Sequence, residues 1–492
     1  MPPAVTAPAR RGARIALLAL LSFAALCAFA SGAFAKKTPH VEIVTQEEPL
    51  PAATGNTSYF STIQAAVNAT KKNEGDWVLI EPGTYKEEVV VTAAHADIHI
   101  RGMNRNTVVL DGSGLSKEHG SNGILVEKTN NVWIENMTAH DFHRESPDGE
   151  NGNDFWWTGG NDSGKVGAHG WWGSYLTAYD TSLMGGYGIF TNNEKTGSWE
   201  HIYASGFNDS GIYIGACWEC QALVNDATIE KNAVGYSGSN SGGQLVIEKS
   251  IFRDNSAGIV PNGENPGDGP PPSNGECGRH KPSKPYTVIP STNIARCTIY
   301  KENLVTENNN LEAPANPSTE AAPWGVGVEL PGVMADEIRE NTITNNVNNG
   351  VLGFEYPNPY PPQSNTIFFQ LAGNKIANNT FVGNGTNGKI FNSDIMLQGG
   401  LFPHGKATSD NNCVIGNSFT NVNYPEGGIE GTWGCQNEHT PPPNEGIVAL
   451  GYIQTLSEES VADRKATPQE APGPQETMPN HCEGVPSNPL CP

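Results

Sequence analysis

Two histidines, an aspartate and an arginine stand together in one short polar segment of the chain. They are His140, Asp141, His143 and Arg144. A base that removes the C5 proton of a uronate sugar, beside a cation that neutralises the sugar carboxylate, would break a polysaccharide by β-elimination. A histidine with arginine or Ca²⁺ suits those roles, so these four are candidate catalytic residues. The alternative is a polar corner that only faces water.

Acidic side chains follow this segment and supply oxygen atoms of the kind that Ca²⁺ prefers. The candidate ligands are Asp148, Glu150 and Asp154. Their spacing is not that of an EF-hand loop, so the hypothesis of a Ca²⁺ site rests on ligand type alone. Hydrolysis of a glycosidic bond would instead require two carboxylates across that bond.

Four tryptophans lie in the same region, which is rich in glycine and aspartate and poor in aliphatic residues. They are Trp156, Trp157, Trp171 and Trp172. Aromatic faces can stack on sugar rings, which makes these four candidate substrate-binding residues. The alternative is that the tryptophans pack together as a small satellite core.

The elements that must position these residues follow from a repeat. Glycine followed by an aliphatic or aromatic residue occurs at Gly188-Ile189, Gly211-Ile212, Gly235-Tyr236, Gly258-Ile259, Gly327-Val328 and Gly350-Val351, at intervals of 23, 24, 23, 69 and 23 residues. Asparagine recurs in phase with it, for example at Asn232 and Asn255. A fixed period of this length indicates stacked structural repeats, in which each coil buries its apolar side against its neighbours.

Short β-rich runs separated by turn residues fill the repeats, and a helix precedes them. Ser61 and Gln64 form a capping-box pattern, with Ser61 at the N-cap. The pattern predicts an all-β fold, a right-handed parallel β-helix over residues 56–455 with a short N-terminal capping helix. Asn232 and Asn255 should occupy equivalent corners, where stacked amides can bond to one another.

The opening of the repeat region resembles that of the pectin lyase-like superfamily. The resemblance rests on Ser61-Thr62-Ile63-Gln64-Ala65-Ala66-Val67, on Ile80-Glu81-Pro82-Gly83-Thr84-Tyr85 and on Val108-Val109-Leu110-Asp111-Gly112. It implies the β-helix fold. It does not decide an activity, because esterases, lyases, hydrolases, epimerases and proteins of no known activity share this opening.

The ends of the chain have a different composition. Residues 1–35 are typical of a secretory signal peptide, with Arg10, Arg11 and Arg14 before an apolar run and Ala33-Phe34-Ala35 as a cleavage site. The alternative is an uncleaved N-terminal anchor. We interpret residues 36–55 as a linker and residues 456–492 as a proline-rich, irregular C-terminal tail. No later segment is apolar enough to predict a membrane span.

Eight cysteines follow the predicted signal peptide, an even number that favours disulfides in an exported chain. They fall into local pairs, which predicts bonds between Cys217 and Cys220, Cys277 and Cys297, Cys413 and Cys435, and Cys482 and Cys491. Residues one coil apart lie about as far apart as neighbouring strands, a distance that a disulfide tolerates.

The chain is strongly acidic. Without residues 1–35 it carries 26 basic against 52 acidic residues, a net charge near −26. Such a surface repels nucleic acid and phospholipid headgroups, so we expect neither as a partner. It also repels polyanionic glycans, unless a divalent cation bridges carboxylate to carboxylate.

Together these features predict a secreted or cell-surface β-helix protein that binds or degrades an extracellular polysaccharide. If it is an enzyme, a polysaccharide lyase or a glycoside hydrolase is favoured over an esterase. The alternative is a non-catalytic cell-surface solenoid with a structural or adhesive role.

Overall fold

The structure, a computed structural model, describes most of the chain after the predicted signal peptide. The described residues are 38–115, 122–143, 152–160, 167–217, 220–239, 241–262, 298–355, 371, 373–398, 412–421 and 445–492, with two short strands at 288–289 and 294–295. Contacts divide the chain into residues 1–39 and residues 40–492, and the second unit holds the fold. Within the described residues, no helix has the length and apolar character needed to cross a bilayer.

The second unit is a right-handed parallel β-helix, as the repeat predicts. Each coil contributes a strand to each of three parallel series, and each strand pairs with its counterparts one coil away. Apolar side chains that point inward from all three series form one continuous core, so the stacking of coils supplies the burial that a single coil lacks.

Series I comprises β5 (Val89–Val91), β8 (Asn122–Glu127), β10 (Asn153–Thr158), β12 (Tyr187–Asn192), β15 (Ser210–Gly215), β18 (Val234–Ser239), β21 (Ala257–Asn262), β26 (Val326–Pro331), β29 (Asn349–Phe354) and β32 (Ser393–Gln398). Series II comprises, in stacking order, β2 (Thr57–Phe60), β1 (Val41–Val44), β3 (Asp76–Ile80), β6 (Ile98–Gly102), the first halves of β9 (Val132–His140) and β11 (Trp171–Tyr179), then β13 (Thr196–Glu200), β16 (Gln221–Asn225), β19 (Gln244–Glu248), β24 (Thr298–Lys301), β27 (Glu337–Arg339), β30 (Lys375–Ala377) and β33 (Cys413–Ile415).

Series III comprises β4 (Gly83–Tyr85), β7 (Val108–Asp111), the second halves of β9 and β11, β14 (Tyr203–Ser205), β17 (Thr228–Glu230), β20 (Ile251–Arg253), β25 (Leu304–Thr306), β28 (Thr342–Thr344) and β31 (Thr380–Val382). Outside the three series, β22 (Val288–Ile289) and β23 (Ile294–Ala295) form an antiparallel pair.

Buried asparagines stack at the turn from series III to series I. The side-chain amide of Asn232 donates to Asn255 Oδ1 over 3.0 Å, and Asn255 donates in the same way to Asn308 over 2.9 Å. Asn346 and Asn384 continue this ladder. The predicted equivalence of Asn232 and Asn255 is confirmed. Each amide also donates to a main-chain carbonyl, which satisfies polar groups that the fold removes from water.

A short helix covers the first coil, as predicted, but it begins one residue later than the capping-box pattern indicates. Helix α1 (Ile63–Ala69) has Thr62, not Ser61, at its N-cap. The Glu87 carboxylate accepts hydrogen bonds from the main chain of Ile63 and Gln64. The Gln64 side chain is bonded to the main chain of Val90, so it is not available to complete a capping box.

The β-helix begins before residue 56, which corrects the interpretation of residues 36–55 as a linker. Strand β1 pairs in parallel with β2 on one side and with β3 on the other. Its apolar side chains, among them Val41, Ile43 and Val44, are fully buried. The strand lies outside the 23-residue repeat, so periodicity alone did not indicate it.

The C-terminal segment also departs from the predicted boundary at residue 456. Helix α3 (Glu445–Asp463) crosses that boundary, and Tyr452 and Leu456 pack on Phe354 of β29. A second short helix, α2 (Pro317–Glu320), lies close to it. The proline-rich tail then returns along the β-helix to its first coils, where Gln475 is bonded to Asn106 and Cys491 packs beside Val41.

Two of the predicted disulfides are present among the described residues. Cys217 is bonded to Cys220, and Cys482 is bonded to Cys491. Cys413 also forms a disulfide. Cys435, its predicted partner, and the pair Cys277 and Cys297 lie outside the described residues.

Candidate functional site

The predicted catalytic residues lie where series III ends and the chain turns towards series I. His140 is the last residue of β9 and is in register with Asp111 on one side and Tyr179 on the other. Asp141 follows with a positive φ of 57°, a backbone conformation that aspartate adopts more readily than most residues. Its N–H donates to the Tyr179 carbonyl, which places Asp180 beside Asp141 one coil away.

His140 is held between two carboxyl groups and an aromatic ring. Its Nδ1 lies 2.9 Å from Asp141 Oδ2, and its ring stacks on Tyr179 with 4.7 Å between centroids. Its Nε2 lies 3.9 Å from Asp111 Oδ1, and Asp111 is also paired with Lys86 at 3.0 Å. An ionised Asp141 can only accept a hydrogen bond, so in the neutral form of His140 the ring proton is on Nδ1. This leaves Nε2 free of a proton and able to act as a base.

Asp141 is fixed and kept ionised by its neighbours. Its Oδ1 accepts from the main chain of Thr181 at 2.7 Å and from the Thr181 hydroxyl at 2.9 Å. Burial alone would raise the pKa of Asp141, but hydrogen bonds from His140, Thr181 and Asp180 hold it well below its usual range. Asp141 is therefore an ionised anchor for the His140 ring.

Asp180 completes the cluster and was not among the residues predicted from the sequence. Its side chain accepts from the main chain of Gly185 at 2.6 Å and from both the main-chain N–H and the hydroxyl of Ser182. One of its oxygens lies within 4.8 Å of an oxygen of Asp141. Burial raises the pKa of Asp180 to about 6, and the neighbouring Asp141 adds to that shift. One pattern in the sequence could have indicated Asp180. An aspartate follows a ring-bearing residue both at His140-Asp141 and at Tyr179-Asp180.

His143 reaches back into this cluster from the start of the large insertion. Its Nε2 lies 3.7 Å from Asp180 Oδ1, has no hydrogen-bond partner and is shielded from solvent, while 38% of its side chain is exposed. Asp141, His143 and Asp180 can each offer one ligand atom, and these atoms all lie within 4.8 Å of one another. Arg144 lies outside the described residues.

Asp154, one of the three predicted Ca²⁺ ligands, lies on strand β10. It is fully buried, and its Oδ2 accepts from the Tyr179 main chain at 3.0 Å, whereas its Oδ1 has no partner. Burial, together with the charges of Asp180 and Asp141, raises the pKa of Asp154 well above its usual range. Asp148 and Glu150 lie outside the described residues.

Two of the four tryptophans belong to the core, which corrects their assignment to a sugar-binding surface. Trp157 and Trp171 are fully buried inside the coils. Trp157 Nε1 donates to the Val132 carbonyl at 3.2 Å, and Trp171 packs against Trp199 with 4.7 Å between ring centroids. Successive side chains on a strand point to opposite faces, so each Trp-Trp pair puts one ring inside and one outside.

The other two tryptophans are partly exposed, and they lie on different series of strands. Trp156 is on series I, where it stacks on Phe190 and donates to Asn192 Oδ1 at 3.1 Å. Trp172 is on series II, where it extends a stack formed by Trp133 and His99. Each ring is thus part of a separate aromatic row on the outside of the β-helix.

Comparison with known families gives one partial match. Residues 315–439 match the family described as "Protein of unknown function (DUF1565)". A search of the curated proteins finds no significant match.

Solved structures with a similar arrangement include the A-module of the mannuronan C-5 epimerase AlgE4 from Azotobacter vinelandii. It is 14% identical, with 72% of this chain and 90% of that chain covered and a TM-score of 0.40. Pectin methylesterase PemA from Erwinia chrysanthemi is 13% identical, with coverages of 61% and 88% and a TM-score of 0.33. Alginate lyase from Paenibacillus sp. str. FPU-7 is 10% identical, with coverages of 74% and 93% and a TM-score of 0.33. At these identities the likeness describes the fold alone.

Proposed function

We propose that the protein is an exported β-helix lyase that cleaves an acidic extracellular polysaccharide by β-elimination, with His140 as the base. The observation that carries the proposal is the hydrogen bond between His140 Nδ1 and Asp141 Oδ2, in a ring that is also stacked on Tyr179. This arrangement fixes both the tautomer and the orientation of the imidazole, which a general base requires.

The short distance between two aspartates favours a lyase over a glycoside hydrolase. Hydrolysis places one carboxyl group on each side of the scissile bond, so the two must stand at least about 5 Å apart. One carboxylate oxygen of Asp141 and one of Asp180 lie within 4.8 Å of each other, which is closer than that. Proton abstraction needs only one base, and His140, whose side chain is 14% exposed, can supply it.

The chemistry assigned to His140 is the removal of the proton from C5 of a uronate residue. The electron pair of the C–H bond forms the C4–C5 double bond, and the bond from C4 to the glycosidic oxygen breaks. Solvent protonates the leaving oxygen, and one product carries a 4,5-unsaturated sugar. Asp141 stabilises the imidazolium that forms, because it lies 2.9 Å from Nδ1.

Export is the part of the proposal that the cysteines support. Disulfides such as Cys217–Cys220 and Cys482–Cys491 persist in oxidising compartments. The excess of acidic over basic residues keeps polyanions at a distance, so an acidic substrate would require a bridging cation.

A screen on a panel of acidic and neutral polysaccharides tests the proposal. We expect ultraviolet-absorbing 4,5-unsaturated products from an acidic polysaccharide, and His140→Gln should abolish them. His201→Gln is a matched control, because His201 is likewise bonded to an aspartate, Asp226, and stacked on a tyrosine, Tyr175.

Two results would contradict the assignment. New reducing ends without unsaturated products would indicate a hydrolase. No turnover on any polysaccharide would favour the non-catalytic structural or adhesive solenoid instead.

A further inference from the structure

We infer that Asp141, His143 and Asp180 bind a divalent first-row transition-metal ion. The three side chains come from the ends of two neighbouring coils and the start of the insertion, and their ligand atoms all lie within 4.8 Å of one another. Imidazole nitrogen and carboxylate oxygen are both ligands that such ions accept. The inference goes beyond the proposed lyase activity, because ion binding needs no polysaccharide.

The first supporting observation is the position of the His143 Nε2 atom and its lack of a hydrogen-bond partner among the described residues. Its Nε2 is turned into the cluster, 3.7 Å from Asp180 Oδ1, which is too far for a hydrogen bond. Among the described residues this nitrogen has no hydrogen-bond partner, and the atom is shielded from solvent. A shielded imidazole nitrogen without a partner is costly unless something binds it, and an ion held jointly with Asp180 would do so.

The second, independent observation is Asp154. It is fully buried, its Oδ1 has no partner, and Asp180 and Asp141 lie near enough to act on its charge. A cation among these groups would offset the repulsion that three neighbouring carboxyl groups otherwise create.

Charged side chains near the cluster do not neutralise its carboxylates permanently. Among the described residues, the ion pairs of Asp141 and Asp180 are made with histidines, His140 and His143, and not with lysine or arginine.

The donor set selects the ion. Imidazole suits Zn²⁺ and similar ions, whereas Ca²⁺ takes six to eight oxygen ligands in a flexible shell. Asp180 is held by Gly185 and Ser182, and Asp141 by Thr181, so these carboxylates are fixed rather than adaptable. We therefore expect Mn²⁺ or Zn²⁺ to bind more tightly than Ca²⁺.

The test is calorimetric titration of the full exported chain, first stripped with a chelator, with Mn²⁺, Zn²⁺ and Ca²⁺ and without polysaccharide. One ion per chain should bind, with Ca²⁺ the weakest. His143→Gln and Asp180→Asn should each weaken binding by about 100-fold or more, beyond the effect usual for residues that only support a ligand. His201→Gln and Asp226→Asn should leave it unchanged, since within the described part of the chain that histidine–aspartate pair belongs to no group of three possible ligands.

His143→Gln keeps the test sound if the buried Asp180→Asn variant misfolds, because His143 is partly exposed. Absence of binding, tighter binding of Ca²⁺, or binding that survives both substitutions overturns the inference. Ion binding without polysaccharide cleavage supports the inference and contradicts the proposed lyase. Polysaccharide cleavage by a protein that binds no ion supports the proposed lyase and contradicts the inference.

Discussion

Asp154 and Asp394 occupy the same position in their coils, and their carboxyl groups meet opposite surroundings. From β8 onward the second position of each series I strand is otherwise glycine, at Gly123, Gly188, Gly211, Gly235, Gly258, Gly327 and Gly350. Asp394 accepts hydrogen bonds from Asn384, Thr420 and Asn421 through both oxygens. Asp154 has a partner for Oδ2 alone.

The position explains why an aspartate there is significant. A side chain added at Gly235 or Gly258 would meet the amide of Asn255 or Asn308 in the asparagine ladder. Asp394 uses this location to end the ladder. Asp154 lies in a coil before the ladder begins, and its charged neighbours there are Asp180 and Asp141. Its carboxyl group therefore adds charge to the candidate site rather than completing a hydrogen-bond chain.

This contrast predicts the effect of removing each charge on ion binding. Asp154→Asn should weaken the binding of Mn²⁺ or Zn²⁺ by about tenfold, a typical effect for a group that supports a metal site without ligating it. Asp394→Asn should not change the affinity, since Asp394 is bonded to other groups at the far end of the β-helix. Calorimetric titration of both variants checks this. Equal affinities for both would show that Asp154 does not act on the site.

The repeat made the fold predictable, and a break in the repeat hid part of the site. Asn232 and Asn255 are 23 residues apart, because the coil that separates them has no insertion. Asp141 and Asp180 are also one coil apart, but 39 residues separate them because an insertion intervenes. Spacing therefore indicated the ladder and not the aspartate pair, whose proximity follows from the register of β9 on β11.

The asparagine ladder should contribute measurably to stability. Asn255→Ala removes a buried side chain that bonds Asn232, Asn308 and the Ile229 carbonyl, so neighbouring polar groups lose their partners. We expect a loss of about 1–3 kcal/mol in the free energy of unfolding, the usual cost of a buried unsatisfied group. Chemical denaturation measures it. Asn309→Ala is the control: the Asn309 side chain also donates and accepts hydrogen bonds but is only partly buried, and an equal loss there would argue against burial as the cause.

Glu135 should make the protein less stable in acid. Burial would raise the pKa of Glu135, but His99 and Arg101, whose Nε lies 3.0 Å from the carboxylate, hold it below its ordinary value of 4.5. A carboxyl group with a lowered pKa contributes stability above its unfolded value and loses that contribution as the pH falls through its folded value. The thermal midpoint of unfolding should therefore decrease as the pH is lowered from about 4.5.

Glu135→Gln should lower the midpoint near neutral pH and flatten its dependence on pH in that acid range. Arg101 also donates to the carbonyls of His481 and Glu483, so the C-terminal tail should become more sensitive to protease in acid. Melting curves and limited proteolysis across the pH range check both effects. An unchanged acid slope in Glu135→Gln would mean that other carboxyl groups set the acid limit.

The tryptophans give the clearest separation of packing from binding. Trp157 fills the core and donates to the Val132 carbonyl, so Trp157→Ala leaves a large cavity and removes this hydrogen bond. We expect it to cost about 3–5 kcal/mol, as large-to-small substitutions of buried aromatic residues do. Trp172 stacks on Trp133 at the surface, so Trp172→Ala should change the thermal midpoint far less.

If Trp172 contacts a sugar, its substitution should weaken polysaccharide binding in the folded protein, as measured by affinity electrophoresis. Equal destabilisation by both substitutions would show that the outer aromatic row is structural, and unchanged binding in Trp172→Ala would place the sugar elsewhere.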